Sequence, residues 1–218
     1  KAPIICTPYT VEVIKSILKD DRIKLDNDIK PINVNSPYNL SENIKIELVH
    51  ITHSIPQSTL VAVHTKYGII LYANDFKLDL HPTLGKIPDF KKLEELSKKG
   101  IIALIVESTY ADDPKKMPSE QVAKEMLRDV LIGTNNRDNL IIVTTFSSHI
   151  ARLKSIIEFG QKLNRKIIFL GRSLAKYVKA AENLGLVNFS KDVEIVKYSR
   201  EVEQRLKKID KDRKKYLL

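Results

Sequence analysis

The sequence predicts an α/β protein in two parts, a mainly antiparallel sheet followed by a parallel one. Three observations predict it. Residues 44–73 hold three consecutive strand-like runs, the last two joined by the short turn Lys66-Tyr67-Gly68. Residues 119–196 alternate helix and strand patterns, which implies parallel strands with crossovers. Between them, YADDPKKMP (110–118) carries two prolines and breaks both patterns, and a domain boundary is placed there.

Residues 1–10 read as a short strand and turn, and Val11, Val13, Ile14, Ile17 and Leu18 give the next helix its apolar face. Residues 20–43, rich in Asp, Asn, Pro and Ser, read as irregular connection with one short strand. Ile44, Ile46 and Leu48 alternate with polar residues, as a half-buried strand requires, and TLVAVHT (59–65) and IILYA (69–73) follow as its neighbours. Residues 80–90 form a loop and 90–99 a helix. Ile101–Val106 is an unbroken apolar run, the signature of a strand buried on both faces.

In the second part, a helix over 119–132 places Val122, Met126 and Val130 on one side. Strands are expected at 140–145, 166–170 and 193–196, and helices near 149–162 and 174–184. Val202, Leu206, Ile209 and Tyr216 lie at helical spacing in 199–218, so a helix is expected to run to the last residue with a solvated Lys/Arg/Asp/Glu face.

Composition narrows the function. Hydrophobic residues make up 43% of the 218, enough for a real core, and no apolar stretch is long enough for a membrane span. The formal charge of +10 favours polyanions, nucleic acid above all, although a Lys-, Glu- and Ile-rich chain without Trp also suits heat adaptation. The single cysteine, Cys6, makes neither an internal disulfide nor a zinc cluster. It is expected to be a buried strand residue, in keeping with a cytosolic location. G-x-G-x-x-G, Walker and G-x-S-x-G motifs are absent.

Three strands each end in a residue able to bind or orient a metal. His53 follows the first, Asp75 the third, and Glu107 closes the apolar run. Each alone is a weak signal, because a residue at a strand end is more often a cap or turn. His50 and His53 lie three apart on a strand, which sends them to opposite faces. The second part offers two strand-to-helix turns, Thr144–His149 and Gly171-Arg172-Ser173. Such turns sit at the carboxyl ends of parallel strands, where helix N-termini, the hydroxyls of Ser147, Ser148 and Ser173, and the Arg172 fork suit phosphate. The plainer reading is that these serines cap their helices.

Five segments in order, THSIPQS (52–58), YGIILYANDFKLD (67–79), IVESTYA (105–111), TTFSSHIARLKSII (144–157) and KIIFLGRSLAKYV (166–178), resemble the metallo-β-lactamase fold with an inserted β-CASP domain, within it the ribonuclease J family of archaea. The resemblance covers essentially the whole chain. It implies part of a metallo-β-lactamase αββα sandwich over 1–112 and part of a β-CASP domain over 113–218. His53 would ligate one zinc, Asp75 would bridge two, and Glu107 would orient groups or handle a proton beside them. Ser147, Ser148, His149, Arg172 and Ser173 would contact RNA. Two zinc ions would activate a hydroxide and clamp the scissile phosphate. The activity implied is 5′-to-3′ exonuclease, with endonuclease cutting also open, in the cytoplasm, with RNA as partner, no membrane, and a homodimer left open.

The family's H-x-H-x-D-H motif and its later β-CASP histidine motifs are absent. The chain is therefore expected to be internal to a longer protein and inactive alone, with two metal ligands where a catalytic zinc has three. Two alternatives remain. One is an endonuclease resembling the archaeal cleavage and polyadenylation factors. The other is a catalytically dead RNA-binding module.

Overall fold

The computed structural model describes residues 2–218 and divides them into two compact units, one running to Ser119 and the other spanning Glu120–Leu218.

The first unit opens with β1 (Ile4–Cys6) and α1 (Pro8–Asp20), which starts on a proline whose missing N–H costs nothing in a first turn. β2 (Ile29–Pro31) pairs in parallel with β1. Then come β3 (Pro37–Asn39), β4 (Lys45–His50), β5 (Thr59–Thr65), β6 (Gly68–Ala73), α2 (Phe90–Lys99) and β7 (Ile101–Val106). The main sheet has the order β3-β4-β5-β6-β7, antiparallel throughout except for the parallel β6–β7 pair. Val49, Leu60, Ala62, Ile69, Leu71 and Ala73 share one face and bury it under Leu96 and Leu93 of α2. Gly68 (φ 136°) turns the β5–β6 hairpin, and a Cβ there would lie 2.5 Å from Ile102 Cγ2.

At the margin of this core Glu47, nearly buried, accepts from Lys92 Nζ at 2.6 Å and lies 3.2 Å from His64 Nε2. Two partners are what a carboxylate inside a sheet–helix seam requires.

β7 corrects one expectation. Ile102, Leu104, Ile105 and Val106 are 56, 60, 52 and 47% exposed rather than buried on both faces. The strand lies at the sheet's edge, and α2 covers only its first residue, Ile101. Cys6 is half-buried rather than buried, and residues 20–43 hold two short strands rather than one.

The second unit contains α3 (Glu120–Leu131), α4 (Ile150–Lys162), β8 (Lys166–Leu170), α5 (Arg172–Asn183), β9 (Val193–Val196), α6 (Ser199–Ile209) and β10 (Tyr216–Leu217). The sheet is parallel, in the order β10-β8-β9. Ile168 packs with Ile209 of α6, while the neighbouring Ile167 lies against Gly160 of α4. Successive residues point to opposite faces, so helices cover the sheet on both sides. Arg165, 9% exposed, donates to the carbonyls of Asn139 (2.8 Å) and Asn136 (2.5 Å) and ties the loop after α3 to the start of β8.

Two further expectations change here. The strand at 140–145 shrinks to a bridge between Ile141 and Leu217, because its partner β10 is two residues long. The terminal helix stops at Ile209. Residues 210–215 are all charged and continue as a 3₁₀ turn kinked at Asp212 (φ −154°), and the apolar Tyr216-Leu217 then enters the sheet with Leu217 fully buried. Val122, Met126 and Val130 do share a side of α3, but at 46, 63 and 62% exposure they remain uncovered.

Candidate functional site

The sheet of the first unit gathers the three strand-end residues. β4 runs antiparallel to β5, β5 antiparallel to β6, and β6 parallel to β7. The carboxyl ends of β4, β6 and β7 therefore meet at one edge. Past β4 the chain continues through Ile51 to a bridge between Thr52 and Lys77, closed by the Lys77 N–H donating to the Thr52 carbonyl at 2.8 Å. That bridge holds the strand end carrying His53 beside the segment carrying Asp75. Glu107 N–H donates to the Ala73 carbonyl at 3.3 Å, which brings the third residue to the same edge.

His53 and Asp75 are exposed and Glu107 partly so. His53 Nδ1 lies 3.3 Å from Ser54 Oγ. Glu107 Oε2 accepts from Thr109 N–H at 2.7 Å. The hydroxyl and N–H of Thr109 hold the Glu107 carboxyl below its usual range, and the nearby His53 adds to the shift. Glu107 is thus a carboxylate at neutral pH.

Asp79, only 4% exposed, pins this edge and was not picked out from the sequence. Its Oδ1 accepts from His81 N–H at 2.8 Å, its Oδ2 lies 3.4 Å from Lys77 Nζ, and its own N–H donates to Thr52 Oγ1 at 3.1 Å. The available signal was Asp two residues before His81-Pro82, an Asx-turn pattern.

An imidazole and two carboxylates are suitable zinc donors. Sharing one sheet edge does not bring them to one point. Among the described residues, no group of three or more His, Cys, Asp or Glu converges as a metal-binding set.

The second unit presents its two turns at the carboxyl ends of its strands. Gly171 caps α5 at φ 124°, a conformation that strains any side chain, and its N–H donates to the Val196 carbonyl at 2.8 Å. No side chain caps α5 there, so its first N–H groups open toward the exposed Arg172 and Ser173. At α4 the cap is His149, not a serine. Its Nδ1 accepts from Arg152 N–H at 3.3 Å, and its Nε2 lies 3.5 Å from Glu120 Oε2. Arg152 in turn donates to both oxygens of the buried Glu120, at 2.6 and 2.8 Å. With both ring nitrogens engaged, His149 fixes the turn, and Ser147 and Ser148 are the side chains it positions.

The fold and these edges define an α/β protein in which a mainly antiparallel unit is followed along the chain by a parallel-sheet one. Residues 138–209 match the family described as "Ribonuclease J, beta-CASP domain". The chain is 41% identical over 219 residues to "Ribonuclease J" of Methanocaldococcus jannaschii, covering 100% of this chain and 49% of that protein. It is 42% identical over 217 residues to "Ribonuclease J" of Pyrococcus abyssi, covering 99% and 48%. "Ribonuclease J 2" of Staphylococcus aureus is 32% identical over 193 residues, 88% of this chain and 34% of that one. Among solved structures, a protein of unknown function from Enterococcus faecalis V583 superposes with a TM-score of 0.60 at 15% identity, covering 93% of this chain and 51% of that one, a likeness of fold.

The chain belongs to the ribonuclease J family. It spans about half the length of its two archaeal relatives. Among the described residues, no helix is long and apolar enough to cross a membrane.

Proposed function

We propose that the chain contributes the RNA-holding turns and part of the metal edge of a zinc-dependent ribonuclease. The observation that carries this reading is the meeting of His53, Asp75 and Glu107 at one sheet edge in a member of the ribonuclease J family. His53 and Asp75 would each ligate zinc, with further ligands supplied from outside these 218 residues. When bound, the zinc pair would activate water for phosphodiester hydrolysis. This chain's own residues do three things. His53 and Asp75 offer donors, Glu107 keeps a negative charge beside them, and Thr109 holds that carboxylate in place.

In the second unit, Arg172 and Ser173 would bind RNA phosphate at the uncapped N-terminus of α5, and Ser147 and Ser148 in the turn before α4, with His149, the cap of α4, as the positioning residue. The activity proposed is 5′-to-3′ exonuclease with endonuclease cutting as a second mode, acting in the cytoplasm as a monomer or homodimer. A catalytically dead RNA-binding module is the second reading, favoured by the formal charge of +10 and by the uncapped α5 turn, neither of which needs a metal.

The test is zinc per chain by elemental analysis, on the 218-residue chain and on the full product of its gene, followed by cleavage of 5′-monophosphate RNA. About two zincs and cleavage in the full product, with almost none in the chain, support the nuclease reading. Two zincs in the chain alone refute the ligand assignment. RNA binding with neither zinc nor cleavage in the full product favours the second reading.

A further inference from the structure

The carboxyl-end rim of the parallel sheet carries two bare aromatic rings. Tyr198, 58% exposed, stands between β9 and α6, and Phe146, 80% exposed, stands in the turn before α4. Single exposed apolar residues are ordinary. Two on one rim that also carries three exposed cations are not. Arg172 lies in the β8–α5 turn, Lys197 and Arg200 flank Tyr198, and all three are exposed. None of residues 144–149, 171–173 and 197–200 is acidic, and the nearest along the chain is Glu201 in the first turn of α6.

Backbone pairing reaches the rim itself. Val143 N–H donates to the Leu218 carbonyl at 2.8 Å, and Gly171 N–H donates to the Val196 carbonyl, also at 2.8 Å. The segments leading into these turns are therefore fixed to the sheet. The lateral order is the Ile141 bridge, β10, β8, then β9. At ordinary strand spacing, the Phe146 and Tyr198 ends of this rim lie about 14 Å apart. The Arg172 turn is one strand from Tyr198 and two from Phe146.

Resting on the RNA reading above, we propose that Tyr198 and Phe146 are base-stacking platforms at the two ends of a single-stranded RNA track, with Arg172 holding phosphate between them and Lys197 and Arg200 holding it beside Tyr198. Aromatic faces accept any base, and basic side chains track the backbone, so the track is tolerant of sequence. It selects single strands because a duplex keeps its base faces stacked inside.

The chain has no tryptophan, so Tyr198→Trp provides a single fluorescent reporter at one end of the rim. We expect single-stranded oligouridine to quench it, and neither an abasic strand of equal length nor duplex RNA to do so. Tyr198→Ala and Phe146→Ala should each weaken oligouridine binding about 5- to 150-fold and leave the abasic strand's binding nearly unchanged. Oligouridine that binds the reporter variant without quenching, and binds the alanine variants as it binds the parent, overturns the stacking and leaves RNA binding intact. No oligouridine binding by the parent chain at low salt overturns the RNA reading, and the stacking proposal with it.

Discussion

Gly160→Ala sets two opposed energies against each other within α4. Alanine is the better helix former by about 1 kcal/mol, which favours the substitution. The added methyl would lie 2.8 Å from both Cδ1 and Cγ1 of Ile167 and 3.4 Å from Leu217 Cδ1. Ile167 is 4% exposed and Leu217 fully buried, and a β-branched side chain in a strand has few rotamers with which to yield. Overpacking of this kind costs about 1–3 kcal/mol, so the balance is a loss of about 0–2 kcal/mol. Ile167→Ala opens the space and itself costs about 2–5 kcal/mol. In that background Gly160→Ala should turn stabilising by about 1 kcal/mol, a coupling that a double-mutant cycle measures. Hydrogen exchange of the β8 amides under increasing urea is the suitable assay, because it reports the second unit rather than the whole chain. Stabilisation by Gly160→Ala in the parent, with no change of sign in the Ile167→Ala background, would refute the close approach of α4 to β8.

Leu96→Ala should destabilise the first unit by about 2–5 kcal/mol, since Leu96 is fully buried against the sheet, and urea melts of the β5–β6 amides would register it. Glu120→Ala should cost about 1–3 kcal/mol. Breaking a fully buried pair costs more, but the Arg152 side chain is 32% exposed and regains water; an unchanged melt of the second unit would contradict this. For His64, burial and then the charge of Lys45 lower the pKa below its usual 6.5, outweighing the bond to Glu47. The unfolded state therefore takes up the proton first. The neutral ring's contribution is full above pH 6.5 and is lost as the pH falls from there through the lower folded value. His64→Gln should flatten the fall in urea midpoint between pH 7 and 5, and an equally steep fall would count against it. Burial also raises the Cys6 thiol, so iodoacetamide should modify it at neutral pH more slowly than free cysteine.

The sequence patterns located most of the elements because their signals are local. The alternation of Ile44, Ile46 and Leu48, the Lys66-Tyr67-Gly68 turn and the helical spacing of Val11, Ile14 and Leu18 all follow from the chain's own geometry, although β4 buries Glu47, Leu48 and Val49 alike. Burial of β7 was misjudged because an apolar run states what a strand could bury, whereas its neighbours decide what it does bury. The 210–217 segment was misjudged for a related reason. Tyr216 keeps helical spacing with Ile209, yet Leu217 finds a partner strand, and that partner is 50 residues away. At the candidate site, strand ends revealed His53, Asp75 and Glu107. They did not reveal Asp79, whose importance lies in a bond to Thr52, or that His149 rather than a serine caps α4.

The uncovered β7 has a consequence for handling the molecule. Its outer edge is unpaired, both of its faces are apolar, and it contains no proline and no charge from Ile101 to Val106. Proteins usually protect such edges with lysine, proline or a bulge; this one has no lysine or proline, and its one register shift, at Ile102, leaves Ala103–Val106 in regular extended pairing with β6. At high concentration the 218-residue chain should extend its sheets by pairing chain to chain, seen as light scattering that grows with concentration. Ala103→Lys, which sets a charge on the exposed strand, should suppress that growth while leaving the Leu96 core in place.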